Sequence, residues 1–600
     1  MIVRKKNSAL HFALAAFCAL SLLGLPAFGN AQDKDDQKDD HETIEHPQTA
    51  DQSEATEHPN GLIQDWSHHH AVYPRVGPIQ NLIKVQDDPR AIESWQSAAR
   101  SEWQQWKNRG HHRPGHSAMR TDWSISLGTG TTAPAMYPAK FGFNTSAAPD
   151  CANDFIVFPV SVAGSATQPN LVAFKNLYSG TAGSTGICNR TPVVGTDDGI
   201  SATTLWSYNV NAVGGKVATS PILSFDGKKV AFVETNASGP AHFHVLAWKS
   251  GEGVVTNLQD VTHPKTLNSF ATLAPAAGLT SAISDLALGS SGDDTLSSPF
   301  FEYGRDLVYV GNDTGTLFRI KDVFCLYATC TGNGSPAPSL DASWGVGGGF
   351  ATGCGGKLTG PVVDGFTGNI FVGCSDGKLY GFTNTGTALT PLIVGNGSAT
   401  GGIVDPPIVD GVHGFVYAVS GNNGTNAVMV QANTSNLALR STATLGTGGL
   451  GNLHAPAFND AYYTSGTSAN WILYEVAPTS TGITIYGATF NGSRIMTAGT
   501  PTNTLSFAVG TVEVSPLTEF VGSGGQDRFF ESLQAAVGGN LASYNVTAGF
   551  PAGFENTFGA GAGTTGIVVD NASASAQANS IYFGVKTSNT AVKLTQGTFQ

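Results

Sequence analysis

The sequence predicts an all-β chain folded as a single β-propeller of eight, or else seven, four-stranded blades. Three observations carry this. A unit of short strands repeats along residues 121–600, most copies open on a proline that often follows a small residue, and a lone strand-like segment precedes the first copy where the last copy is one strand short. Six hundred residues exceed one ordinary core, so several domains or one large array must bury the apolar surface. Charged residues make up only 12% of the chain while glycine reaches 74, which suits short strands joined by tight turns and excludes long charged helices.

The repeat is clearest in two copies. Val308-Tyr309-Val310-Gly311, a turn holding Gly315, and Leu317-Phe318-Arg319-Ile320 match Ile370-Phe371-Val372-Gly373, a turn holding Gly377, and Leu379-Tyr380-Gly381-Phe382, with identical gaps. Ahead of them stand Ser298-Pro299-Phe300-Phe301 and Gly360-Pro361-Val362-Val363. Looser copies open at Pro138, Pro221, Pro407, Pro456 and Pro516, and one without proline at Gly566-Ile567-Val568-Val569. Proline suits the first residue of a strand, where its missing N–H is not yet needed by the ladder.

Spacings of 46 to 83 residues between these prolines exceed a bare blade of about 40–50 residues, so insertions are expected, notably over Asn257–Asp294 and Thr479–Ser515. Later strands carry a tryptophan, as in Thr204-Leu205-Trp206-Ser207-Tyr208 and Ala342-Ser343-Trp344-Gly345. The same mark at Asp122-Trp123-Ser124-Ile125-Ser126-Leu127 points to a strand that completes the last unit (566–570, 580–586, 590–595) and closes the ring. Seven blades result if the unit near Pro516 is only an insertion; two smaller propellers or a run of sandwiches are the other arrangements.

Ahead of the array, residues 1–31 read as a secretory signal. Arg4, Lys5 and Lys6 precede an apolar stretch from Ala9 to Leu25, with small residues at Gly29-Asn30-Ala31. The stretch is too short and interrupted for a membrane span, which needs about 20 apolar residues. Residues 32–87 are expected to form a disordered acidic and His-rich tether. Ten Asp or Glu against two Lys between Asp33 and Asn60 carry much of the net charge of −13 and leave the remainder mildly acidic. Over 88–120 a helix and connector are expected outside the ring: Asp88 as N-cap, Pro89 at the first position, then Ile92, Trp95, Ala99, Trp103 and Trp106 at helical spacing, with Gly110 as a stop. The body of the chain, 121–600, is the propeller.

Without Cys18 of the leader, six cysteines remain, an even number suited to an oxidising compartment. Proximity suggests Cys151 with Cys188, Cys325 with Cys330 and Cys354 with Cys374; free buried thiols are the alternative, and no CxxC spacing supports zinc. His41, His46, His58, His68, His69, His70, His111, His112 and His116 all precede the array. They invite weak binding of zinc, copper or nickel, against a plain solvated tether. His242, His244 and His454 read as structural, and Asp197-Asp198 and Asp293-Asp294 as loop acids rather than calcium ligands. No GxSxG, HExxH or GxxxxGK[ST] motif occurs, and no basic stripe marks a nucleic-acid partner. Catalytic, cofactor-binding and metal residues are therefore not assigned.

The stretch GPVVDGFTGNIFVGCSDGKLYGF, residues 360–382, resembles the repeat of the quinoprotein-type (pyrroloquinoline-quinone-like) β-propellers. Residues 298–320 match the same repeat well, 221–248 and 406–431 fairly, and the rest weakly. The chain as a whole is similar to secreted bacterial propeller proteins, a likeness that implies no activity. The quinoprotein resemblance implies the fold and, for the enzymes among those proteins, a quinone held by an adjacent-cysteine disulfide, a stacking Trp, a calcium ion and a catalytic Asp. This chain has no Cys-Cys pair, and the calcium and Asp positions find no counterpart. The expectation is thus a secreted or periplasmic monomer, without a membrane span after signal removal, that binds a glycan, peptide or envelope protein through loops on one face. A quinone- and calcium-dependent dehydrogenase is the first alternative, and a polysaccharide lyase or hydrolase the second.

Overall fold

In a computed structural model, the described residues all belong to one unit, His58–Gln600. The structure describes residues 61–73, 75, 85, 88–95, 119–133, 135–143, 149–178, 188, 202–210, 212–236, 238–253, 264–266, 281–289, 297–324, 337–397, 402–446, 452–464, 467–510, 513–522, 525–534, 540–570, 580–586 and 588–595. The expected signal, Asp197-Asp198, Asp293-Asp294, Cys325, Cys330, Trp103, Trp106 and the remaining early histidines lie outside the described residues. Among the described residues no helix is long and apolar enough to cross a membrane.

Among the described residues, eight sheets of at least four strands follow one another along the chain, antiparallel except where Lys265–Thr266 runs parallel to Tyr208–Asn209. Blade 1 begins with Ala139–Gly142, blade 2 with Ile222–Leu223, blade 3 with Phe300–Glu302 and blade 4 with Val362–Val363. Blade 5 begins with Ile408–Asp410, blade 6 with Ala457–Phe458, blade 7 with Glu513–Val514 and Thr518–Val521, and blade 8 with Val568–Asp570. In blades 1 to 6 the innermost strand lies just behind one of the marked prolines, and in blade 8 behind Ile567. In blade 7 Pro516 splits the strand in two, because it cannot donate to the ladder; the unit is nonetheless a full blade, so the count is eight.

The ring closes through the two ends of the array. Arg120–Ser126 pairs antiparallel with Thr590–Thr595, Trp123 opposite Lys593, and forms the outer strand of the sheet that holds Tyr582. Trp123 is fully buried between Tyr582 of blade 8 and Phe174 of blade 1, its rings 6.0 and 5.9 Å away. Behind it, the Lys593 ammonium sits 2.7 Å from Asp122 and donates to the Leu177 carbonyl, and Lys140 of blade 1 meets Asp570 of blade 8 at 3.1 Å. Trp206 and Trp344 do the same work elsewhere, facing Trp248 of blade 2 and Phe382 of blade 4. These tryptophans thus fasten blade 8 to blade 1, blade 1 to blade 2 and blade 3 to blade 4.

The repeated Val-x-Val-Gly ends have an equally local cause. A Cβ on Gly311 would meet Leu358 at 2.6 Å, and one on Gly373 would meet Ile403 at 2.4 Å, so the neighbouring blade packs where a side chain would stand. The N–H groups of these two glycines donate to Ser297 and Thr359 Oγ atoms at 2.7 and 3.0 Å, with the same latch at Thr565 to Gly584 and Ser515 to Ser532. A hydroxyl ahead of the innermost strand therefore ties its start to the end of the second strand.

Two expectations are corrected. Thr479–Ser515 is not an insertion: it holds Ile483–Thr489 and Asn503–Phe507, the third and fourth strands of blade 6. The outer one, with Asn, Thr and Ser around a single Leu and a single Phe, alternates between half-buried and exposed positions. Within Asn257–Asp294, Ala282–Ile283 and Leu286–Leu288 are outer strands of blade 2. Disulfides join Cys151 to Cys188 and Cys354 to Cys374.

Gly373→Val forces a branched side chain against Ile403 and is expected to lower stability by about 1–3 kcal/mol, read as an earlier midpoint in urea unfolding, while Gly355→Ser, where nothing lies within 4 Å, moves it less.

Candidate functional site at the mouth of the central channel

The centre of the ring is filled by the chain's own N-terminal side. Leu62–Gln64 adds a strand to the inner edge of blade 1, with Leu62 opposite Gly142. Asp65 then caps a short 3-10 turn, Trp66–His69, by accepting from the Ser67 N–H at 2.9 Å. The chain returns beside blade 5, where Val409 N–H donates to the His70 carbonyl and Val72 N–H to the Val409 carbonyl at 2.7 and 2.8 Å. Trp66 is 1% exposed, donates from Nε1 to the Pro299 carbonyl at 3.0 Å, and occupies space that a Cβ on Gly360 would contest at 2.9 Å.

Arg75 reaches blades 6 and 7. Its guanidinium grips Glu519 with contacts of 3.2 and 2.9 Å, pairs with Asp460, and lies 4.6 Å above the Tyr463 ring. The helix starts as its sequence predicts: residues 89–95 are helical and Asp88 accepts from the Arg90 N–H. It is part of the hub rather than an outlying element. Arg90, 3% exposed, binds Asp88, Ser67 Oγ and the Phe301 carbonyl, and stacks 4.2 Å over Phe300. Residues 61–73 thus contradict the expected tether over that span. Leu62, Ile63, Trp66, Val72 and Tyr73 are too few to build a core of their own, but the ring supplies the other half.

Two polar clusters lie along this hub. In the first, Asp405 accepts from the Ala455 N–H at 2.8 Å and lies 3.5 Å from His454, whose other nitrogen is 3.4 Å from Glu513. Burial would depress His454, but the hydrogen bonds and charges of Asp405 and Glu513 prevail and push it up to about 9. His69 stacks on Tyr137 with rings 5.3 Å apart, and His70 is fully buried nearby. Deeper between blades 6 and 7, burial raises Glu475 well above the carboxylate range and Glu531 to about 8, the latter despite the Tyr544 hydroxyl that donates to it.

The second cluster surrounds a cavity of about 100 Å³. Its polar wall is built by Gln64, His68, Arg75 and Glu93, and its apolar wall by innermost-strand residues such as Ile408, Phe458, Phe520 and Val569. His68 lies 3.1 Å from Glu93 and 3.6 Å from Asp65; against burial, these carboxylates raise it to about 9. Beside Arg75, burial and the neighbouring Glu519 and Asp460 hold the Asp527 carboxyl well above its usual range.

Of the early histidines, His68, His69 and His70 are hub residues, which sequence alone could not signal because their partners come from distant blades. His244 is structural, bridging the Ser284 carbonyl and Glu234, and His242 pairs with Asp285. Cys354, Cys374 and Asp376 converge, but both sulfurs are spent in the disulfide and Asp376 accepts from Tyr380.

No family model matches the sequence, and no curated protein matches it either. Solved structures do. BamB from Moraxella catarrhalis is 13% identical over 80% of this chain and 98% of its own, at a TM-score of 0.38. The C-terminal WD40 domain of Sif2 is 8% identical over 80% and 98%, at 0.41, and Sqt1 from Chaetomium thermophilum 10% identical over 79% and 99%, also at 0.41.

Trp66→Ala is expected to cost about 3–5 kcal/mol, measured by chemical unfolding of the full chain. A second expectation concerns pH. His68 and His454 hold a proton more tightly folded than at their ordinary 6.5, so the stability they contribute is complete below pH 6.5 and lost as pH rises through about 9. Glu531 acts in the same direction between its ordinary 4.5 and about 8. The unfolding midpoint should fall steadily from pH 6 to 9.5, and Glu531→Gln should make that fall shallower.

Proposed function

We propose that this protein is a binding or scaffold propeller of an oxidising compartment outside the cytoplasm, taking a glycan, peptide or envelope protein on loops and pockets at one face. The observation that carries this reading is the filled channel: with Trp66, His70 and Arg90 buried at the centre, recognition falls to the faces and to the cavity at the mouth. The two disulfides favour an oxidising compartment.

The quinone alternative meets residues that do not fit it. The paired cysteines are 37 and 20 residues apart instead of adjacent, and the space in the middle of the ring is taken by the hub. Incubating the purified full chain with pyrroloquinoline quinone and calcium should leave no quinone bound after gel filtration and no dye reduction with alcohols or sugars. Glycan and peptide arrays should return saturable binding without cleavage. Dye-linked oxidation would overturn the reading in favour of a dehydrogenase, and shortening of an arrayed polysaccharide in favour of a lyase or hydrolase.

A further inference from the structure

At the seam of the ring, strands from the two ends of the array bring an amine and a carboxyl into contact. Thr121 pairs with Leu594 and Trp123 with Lys593, so Asp122 is the extra residue of a bulge. A bulge re-aims a side chain. Here the Asp122 carboxylate meets the Lys593 nitrogen at 2.7 Å, which leaves the carboxyl carbon one bond beyond the contact. The two side chains are 2% and 0% exposed.

The surroundings exclude water and hold the nitrogen still. Trp123, Tyr178 and Tyr582 are buried, and the Lys593 nitrogen lies 5.0 and 5.9 Å from the centres of the two tyrosine rings. The Leu177 carbonyl accepts one of its N–H groups at 2.9 Å. In such a place an ion pair can discharge itself: one proton passing from nitrogen to carboxylate removes both buried charges. An amine and a carboxylic acid then stand in contact, and fixed contact of this kind replaces the entropy cost of bringing two reactants together.

An acid stands beside the pair as well. Lys140 meets Asp570 at 3.1 Å, and the Tyr178 hydroxyl donates to Asp154 at 2.7 Å with Asp570 at 3.1 Å. The charges of Asp570, Asp122 and Asp154 all bear on the Tyr582 hydroxyl. Three carboxyls thus share two ammonium groups, which favours keeping a proton on one of them, and burial raises Asp154 above its usual range.

We propose that Lys593 and Asp122 condense to an amide, a cross-link that closes the ring covalently between its first and last strands. The nitrogen lone pair attacks Asp122 Cγ, the C–N bond forms, and one carboxyl C–O bond breaks. Ammonium and carboxylate together supply the atoms: the nitrogen keeps one hydrogen, and the departing oxygen leaves as water with the other two. The step needs no oxidant or reductant, and it goes beyond the binding reading without depending on it.

Mass spectrometry of the folded full chain, reduced, alkylated and digested with trypsin after prolonged incubation at neutral pH, tests this. An amide on Lys593 blocks cleavage behind it, so the expected product is peptide 121–140 joined to peptide 587–600, lighter than their sum by one water. Lys593→Arg and Asp122→Ala should each lose the joined product. Asp122→Asn should still link, with a product of the wild-type mass, because ammonia leaves in place of water; a simple ion pair would show none of this. Quantitative release of separate 121–140, 587–593 and 594–600 from the wild-type chain would overturn the proposal whatever the variants do. A link through Lys140 and Asp570 instead, or one that persists in both Lys593→Arg and Asp122→Ala, would overturn its assignment to this pair.

Discussion

Eight sheets set around one axis leave a hole that their innermost strands do not fill, and the order of this structure depends on what occupies it. Here the occupant is covalently part of the chain. Leu62–Gln64 extends the blade 1 sheet, Trp66 wedges among Pro299, Phe300 and Gly360, the His70–Val72 backbone pairs with blade 5, and Arg75 and Arg90 bind blades 6, 7 and 3. Main-chain pairing and paired cations satisfy polar groups that the channel would otherwise bury without partners. The hub belongs to the same apolar core as blades 1 to 4, which makes it a structural member of the ring.

The circumference is held by repetition of small devices instead of one large core. A tryptophan behind the outer strands, a glycine that admits the neighbouring blade, and a hydroxyl that latches the innermost strand recur around the circle. The seam between blades 8 and 1 adds buried ion pairs. Loss of one partner of Lys593–Asp122 or Lys140–Asp570 would leave the other charge buried and uncompensated. A closure joining the beginning and end of the array must reject other strand edges, and uncompensated charge is an effective way to do so.

Much of the fold was legible because its signals are local. Proline before an innermost strand, glycine after Val-x-Val and tryptophan on a late strand each answer a need met within one blade or at its boundary, so they repeat with the blade. The candidate site was not legible for the opposite reason. Gln64, His68 and Arg75 sit in a stretch whose composition resembles a tether, and their roles depend on Glu93, Glu519 and Asp460, which lie 25 to 444 residues away in sequence. The outer strand of blade 6 escaped notice as well, since a half-exposed Thr- and Ser-bearing strand carries little apolar alternation.

By itself, the sequence determined that the chain is an all-β ring, where most innermost strands begin, and that Trp123 returns to the last sheet, because those features are written in spacing and in residue types that suit one backbone conformation. Only the tertiary structure decided that the count is eight, that residues 61–73, Arg75 and 88–95 line and fill the axis, and which polar groups meet at its mouth. Burial of a histidine or a glutamine against carboxylates from other blades is a property of the assembled ring, and no local pattern encodes it.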